Sequence, residues 1–96
     1  MIRDRTVIGL RNLAASLGVT AEGSKWYLFG SVDRDEADAR DIDLLILCMG
    51  HSQADALRKA IDPDYLELPL HLAFMTFEEE SEVAAVRMQK GRAIFP

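Results

Sequence analysis

Asp41 and Asp43, separated by Ile42, are the residues of this chain whose spacing most directly implies chemistry. In an extended strand, residues two apart share a face with their Cα atoms about 6–7 Å apart, so the two carboxylates converge while Ile42 points the other way as an anchor. Carboxylates held that close repel each other unless a cation lies between them. A hard divalent ion such as Mg²⁺, or Mn²⁺ in its place, takes such oxygen ligands and completes its shell with water and phosphate oxygens. By itself an Asp-x-Asp tripeptide is common and most simply marks a solvated strand entrance. A second signal lies upstream, where Gly30-Ser31 stops an apolar run. Glycine permits close backbone approaches, and a serine opening a helical turn offers its hydroxyl and N–H to phosphate oxygens. Alone, that pair reads as a strand-ending turn with a serine cap.

The surrounding elements decide whether these groups can meet. Val7, Leu10, Leu13, Ala14 and Leu17 recur at helical spacing, with Gly18 placed to end the helix and Arg3, Arg5, Arg11 and Asn12 on the wet side. Trp26 to Phe29 reads as a short buried strand, and Val32 to Arg40 as a solvated loop or short exposed helix without an apolar face worth burying. Ile42 to Met49 is nearly continuous apolar sequence, the mark of a central strand covered on both faces. Ser52 with Asp55 resembles an N-cap pair for a helix carrying Ala54, Leu57 and Ile61. Asp62-Pro63-Asp64 is a stop, and Tyr65 to Met75 has strand character, with Pro69 implying an edge or a bulge. Thr76 with Glu79 signals a further helix through Val83 and Val86, ended by Gly91, after which Ile94-Phe95 returns to the core. The predicted order is helix, strand, strand, helix, strand, helix. That is an α/β (α+β) arrangement, a small mixed sheet backed by helices, with residues 1–96 as one domain.

A strand ending in Phe29-Gly30-Ser31, a short polar excursion, and a strand opening Asp41-Ile42-Asp43-Leu44-Leu45 together resemble the nucleotidyltransferase superfamily, most closely its minimal nucleotidyltransferases. The resemblance runs from the first helix to Gly91-Arg92-Ala93-Ile94-Phe95. It implies that Gly30 and Ser31 hold a nucleoside triphosphate, that Asp41 and Asp43 hold the metal, and that Arg34 occupies a basic position often found after the serine. On its own terms Arg34 is a surface arginine in a charged loop. The spacer between Ser31 and Asp41 is one residue short of the small members, and Asp35 stands where a glycine is common. The family also places a third acidic residue on a later strand, and that position falls on His71. Imidazole is a poor ligand for Mg²⁺ but an acceptable one for Mn²⁺ or Zn²⁺, and a neutral histidine can serve as a general base near pH 7. The replacement equally fits a module that binds nucleotide without turning it over. Glu67 shares the strand parity of His71 but lies about 13 Å away along an extended strand, a poor substitute. The implied activity is transfer of a nucleoside monophosphate to a hydroxyl on a partner protein or small molecule. A HEPN-type protein, or a second copy of the chain, is the implied partner, and an antitoxin role the implied context.

Bulk properties narrow the field. With 49% hydrophobic and 28% charged residues the composition is that of a globular protein. The net charge of -5 argues against an extensive nucleic-acid surface, though not against a nucleotide whose phosphates meet a metal and a few local cations. No apolar run has membrane-spanning length and no leader opens the chain, so a cytoplasmic protein is expected. Cys48, within an apolar run, reads as a buried structural thiol. The triplet Asp33, Asp35, Asp38 lacks the glycine and terminal glutamate of a calcium loop, and the two histidines lack zinc-site spacing. A glycosyltransferase using Asp-x-Asp for a nucleotide sugar is a weaker alternative, because so short a chain lacks the usual nucleotide-binding domain.

Overall fold

The opening amphipathic run forms α1 (Ile2–Ser16), with Leu10, Leu13 and Ala14 buried and Gly18 in a left-handed conformation just beyond its end. The computed structural model describes residues 2–96. After a 3₁₀ turn the chain enters β1 (Lys25–Phe29), α2 (Gly30–Asp33) and β2 (Ile42–Cys48). There follow α3 (His51–Ala60), β3 (Leu70–Thr76), α4 (Phe77–Val83), α5 (Ala85–Met88) and β4 (Arg92–Phe95). The four strands form one mixed sheet in the order β3-β2-β1-β4, with β1 antiparallel to β2 and β4, and β2 parallel to β3. This is the predicted α+β arrangement.

The alternation of side chains divides the sheet into two unlike faces. Trp26, Leu28, Ile42, Leu44, Ile46, Cys48 and Ile94 join Leu10, Leu13 and Ala14 of α1 and Ala54 and Leu57 of α3 in one buried cluster. The indole N–H of Trp26 donates to Ser24 Oγ at 3.0 Å, and that hydroxyl donates to the Ala21 carbonyl at 2.6 Å, so the polar atoms taken into this core are paired. Register puts Phe29, Asp43 and His71 on the opposite face. Leu45 and Leu47 are buried there too, so β2 is covered on both sides as its composition predicts.

The structure corrects several local expectations. Helix α3 begins at His51 behind extended Gly50 and has no side-chain cap. Ser52 therefore lies inside the helix, and Asp55 instead accepts from Arg58 at 2.9 Å. Gln53 ties this corner together, accepting from the Met49 N–H and donating to the carbonyls of Thr20 and Glu22. The strand expected from Tyr65 starts only at Leu70. Pro69, lacking an N–H, stands at the strand entrance with its carbonyl accepting from Ile42 N, and the residues before it form turns. As Pro69 implied, β3 is an edge strand. The segment after Asp33 is a loop, but Val32 is fully buried, so the excursion does have an apolar anchor. Asp35, where glycine is common, adopts φ 57°, and its carboxylate accepts from the Arg3 backbone N–H at 3.0 Å, which offsets the left-handed strain. Ile94 and Phe95 enter the core as a fourth strand, with Phe95 edge-on to Trp26 at 5.7 Å.

The Thr76–Glu79 signal holds. Thr76 Oγ1 accepts from Glu79 N, and the Glu79 carboxylate accepts from Thr76 N, a reciprocal capping box. The expected single helix is broken at Ala84 (φ 51°), where the Glu80 carboxylate accepts from Val86 N and starts α5. The hydrogen bond from the Thr76 backbone holds the Glu79 carboxyl below the usual carboxylate range, against a smaller opposing effect of burial. A depressed folded value means the contribution is present above the unfolded pKa and is lost as pH falls through the folded one. Glu79→Gln, which keeps the shape of the box but removes the charge that accepts from the Thr76 N–H, should therefore lower Tm at neutral pH by a few degrees, with the difference from wild type shrinking in acid. Parallel thermal melts at neutral and acidic pH measure this, and an equal deficit at both would deny the box its charge-assisted half.

Candidate active site

The pairing of β1 with β2 sets Phe29 directly opposite Asp43, so the residue after the first strand arrives beside the second strand's carboxylate. That residue is Gly30, at φ 76°. A Cβ on Gly30 would lie 2.3 Å from Asp43 Oδ2, closer than any real contact, so the position is reserved for glycine by both backbone conformation and space. On the other side of β2, parallel pairing with β3 places His71 opposite Asp43.

Asp41, Asp43 and His71 converge. His71 Nδ1 stands 3.6 Å from Asp41 Oδ2 and 3.5 Å from Asp43 Oδ1, and the three donor atoms lie within 4.8 Å of one another. Ile42, between the aspartates, is buried in the core and pins them as expected. The side chains are 36%, 44% and 63% exposed, respectively, open enough for a substrate to reach them from solvent. An imidazole and two carboxylates at this spacing suit a divalent cation, and the absence of a side chain at Gly30 leaves room for the Asp43 carboxylate. The donor set therefore fits a metal. Glu67 is not part of this group. It lines a separate groove with Ile2, Arg5 and Thr6.

An open groove of about 530 Å³, lined by Asp43 and His71 of this trio but not by Asp41, runs across the same sheet face. Gly30, Arg34, Asp43 and His71 all line it, so four of the sequence-predicted residues share one surface. Arg34, at the end of α2, holds Glu36 through Nε, and among the described residues its terminal nitrogens make no further hydrogen bond. Ser31 lies in the first turn of α2 beside Gly30, outside the lining of the groove. Phe29, Leu45, Ala73, Met75 and Gln89 line the groove too, none of them assigned a binding role from sequence. Strand parity with Asp43 and His71 could have found Leu45, Ala73 and Met75. Nothing in the sequence places Gln89, which the α4–α5 break brings to the groove. Cys48, as predicted, is buried on the other face, where burial pushes its thiol pKa up against the opposing pull of Arg58 and leaves it inert.

A four-stranded mixed sheet brings a glycine turn and an Asp-x-Asp pair to one strand mouth, where Asp41, Asp43 and His71 could hold a metal ion. The family model of the nucleotidyltransferase domain matches residues 10–95, and the chain belongs to that family. No curated protein and no solved structure matches it. Family membership supports nucleotidyl transfer as the general chemistry and a nucleotide as substrate. Among the described residues, no helix is long and apolar enough to cross a membrane.

Proposed function

We propose that the protein binds a nucleoside triphosphate with a divalent metal, Mg²⁺ or Mn²⁺, and transfers the nucleoside monophosphate to a hydroxyl on a partner protein or small molecule. The observation that carries this reading is the convergence of Gly30, Asp41, Asp43 and His71 at one strand mouth opening into a groove. Asp41 and Asp43 would hold the ion. When bound, it supplies positive charge to phosphate oxygens as the transition state develops. Gly30 would allow a phosphate close to the backbone, Ser31 beside it would offer its hydroxyl and N–H from the rim, and the terminal nitrogens of Arg34 would meet the outer phosphates. The acceptor hydroxyl attacks the α-phosphorus in line. An oxygen–phosphorus bond forms, the bond to the bridging oxygen breaks, pyrophosphate leaves, and the hydroxyl proton passes to water in the open groove. The groove is open to solvent, which leaves room for an acceptor docked from another chain. A HEPN-type protein, in a cytoplasmic toxin–antitoxin pair, or a second copy of this chain, is the partner we favour.

His71 in place of a third carboxylate supports a second reading, a catalytically silent nucleotide-binding or interaction module. Incubation with α-phosphate-labelled ATP, GTP, CTP or UTP, metal and a HEPN-type partner separates the two. Transfer predicts label on the partner with stoichiometric pyrophosphate. Nucleotide binding without label leaves the silent module, and tighter binding of nucleotide sugars than of triphosphates would overturn both.

A further inference from the structure

The geometry points to His71 as a third metal ligand that turns the site from Mg²⁺ toward a borderline divalent ion, of which Mn²⁺ is the probe of choice. This inference rests on the metal-dependent reading above and adds the identity of the ion.

Nδ1 of His71 faces both carboxylates, nearly equidistant from Asp41 Oδ2 and Asp43 Oδ1 at 3.6 and 3.5 Å. These separations are too long for good hydrogen bonds, whose N···O distances run about 2.7–3.2 Å. The imidazole therefore does not close the pair as a hydrogen-bonded plug. The gap instead leaves room for an ion that Nδ1 and both carboxylates can share.

Ligand chemistry points the same way. Mg²⁺ demands near-ideal octahedral oxygen coordination and gains little from imidazole, while Mn²⁺, Co²⁺ and Zn²⁺ accept nitrogen readily. The histidine is held by the sheet rather than by a loop, because parallel pairing in β2 and β3 fixes His71 opposite Asp43. Its neighbours Leu70 and Leu72 pack toward the core, which sets the direction of its side chain. With Nδ1 given to the ion, the imidazole holds a metal rather than moving a proton, which selects between the two roles that its residue type allows.

The test uses the purified protein and Mn²⁺ alone, read by the loss of the free-ion electron paramagnetic resonance signal. Wild type should retain Mn²⁺ against an about hundredfold excess of Mg²⁺. His71→Ala should weaken Mn²⁺ at least about tenfold, and His71→Asp should restore Mg²⁺ competition. His71 is mostly exposed, so circular dichroism should show all variants folded. Unchanged Mn²⁺ affinity in His71→Ala, equal displacement by Mg²⁺ in wild type and His71→Asp, or no Mn²⁺ binding at all overturns the inference. Its failure is distinct from that of the transfer reading. Full transfer with Mg²⁺ at the Mn²⁺ rate removes the ion preference and leaves the enzyme, whereas retained Mn²⁺ selectivity without transfer removes the enzyme and leaves the ligand.

Discussion

Asp43→Asn should lower nucleotidyl transfer by about 10²–10³-fold without lowering Tm, and Asp41→Asn should do the same. The substitution keeps the shape of the side chain and removes the negative charge that a metal requires. Loss of activity normally raises the suspicion of misfolding, but here the two effects carry opposite signs. The Asp43 side chain is 44% exposed and, among the described residues, takes part in no hydrogen bond. It does face a second carboxylate across the same site. Removing one of two adjacent like charges relieves repulsion in the metal-free protein, so thermal stability should hold or rise slightly. Steady-state transfer and a metal-free melt on the same preparation measure both. Transfer within a few-fold of wild type would remove Asp43 from the metal site. A Tm loss of several degrees would mean that the carboxylate holds the fold.

Gly30→Ala should reduce metal-dependent nucleotide affinity by at least about tenfold and transfer by more, although it adds a single methyl group far smaller than any catalytic side chain. Two effects combine. An alanine at φ 76° meets the left-handed penalty of about 1–2 kcal/mol, and its Cβ would overlap Asp43 Oδ2 at 2.3 Å. Either the Asp43 carboxylate swings away or the start of α2 moves, and each breaks the alignment of turn and carboxylates. Gly50→Ala is the control. Gly50 has an extended backbone at φ -170°, and a Cβ there meets nothing within 4 Å. It should leave affinity unchanged. Calorimetric titration of nucleotide in the presence of Mn²⁺ reads both variants. Equal affinities would show that the closeness of Gly30 to Asp43 has no part in binding.

These predictions rest on features that differ in how far the sequence reveals them. The Asp41-Ile42-Asp43 spacing specifies a shared face wherever the segment is extended, and the apolar run behind it ensures that it is. Phe29-Gly30-Ser31 announces a strand stop with a close approach. The capping box at Thr76 is equally local, because its donors and acceptors lie within one turn. Each of these signals is short-range, and each survives in the structure.

Where prediction and structure part, the deciding contact is most often distant in sequence, the local Glu80–Val86 bond that breaks the last helix being an exception. Gln53 holding the turn at Thr20 and Glu22 makes a serine cap unnecessary for α3. The Arg3 backbone stabilises Asp35 in a glycine-like conformation. The tail becomes a strand because β1 offers it a free edge, which four residues without clear alternation do not reveal.

Sequence alone determined the residue types, the helical and extended periods, and the clustering of two carboxylates on one strand face, because those depend on backbone geometry over a few residues. Tertiary structure alone decided that Gly30 touches Asp43, that His71 Nδ1 faces both carboxylates, and that Gln89 reaches the groove. Those outcomes depend on which strands pair and in what register. Register is fixed only when the whole sheet buries its apolar face against α1 and α3, a collective choice that no local segment makes by itself.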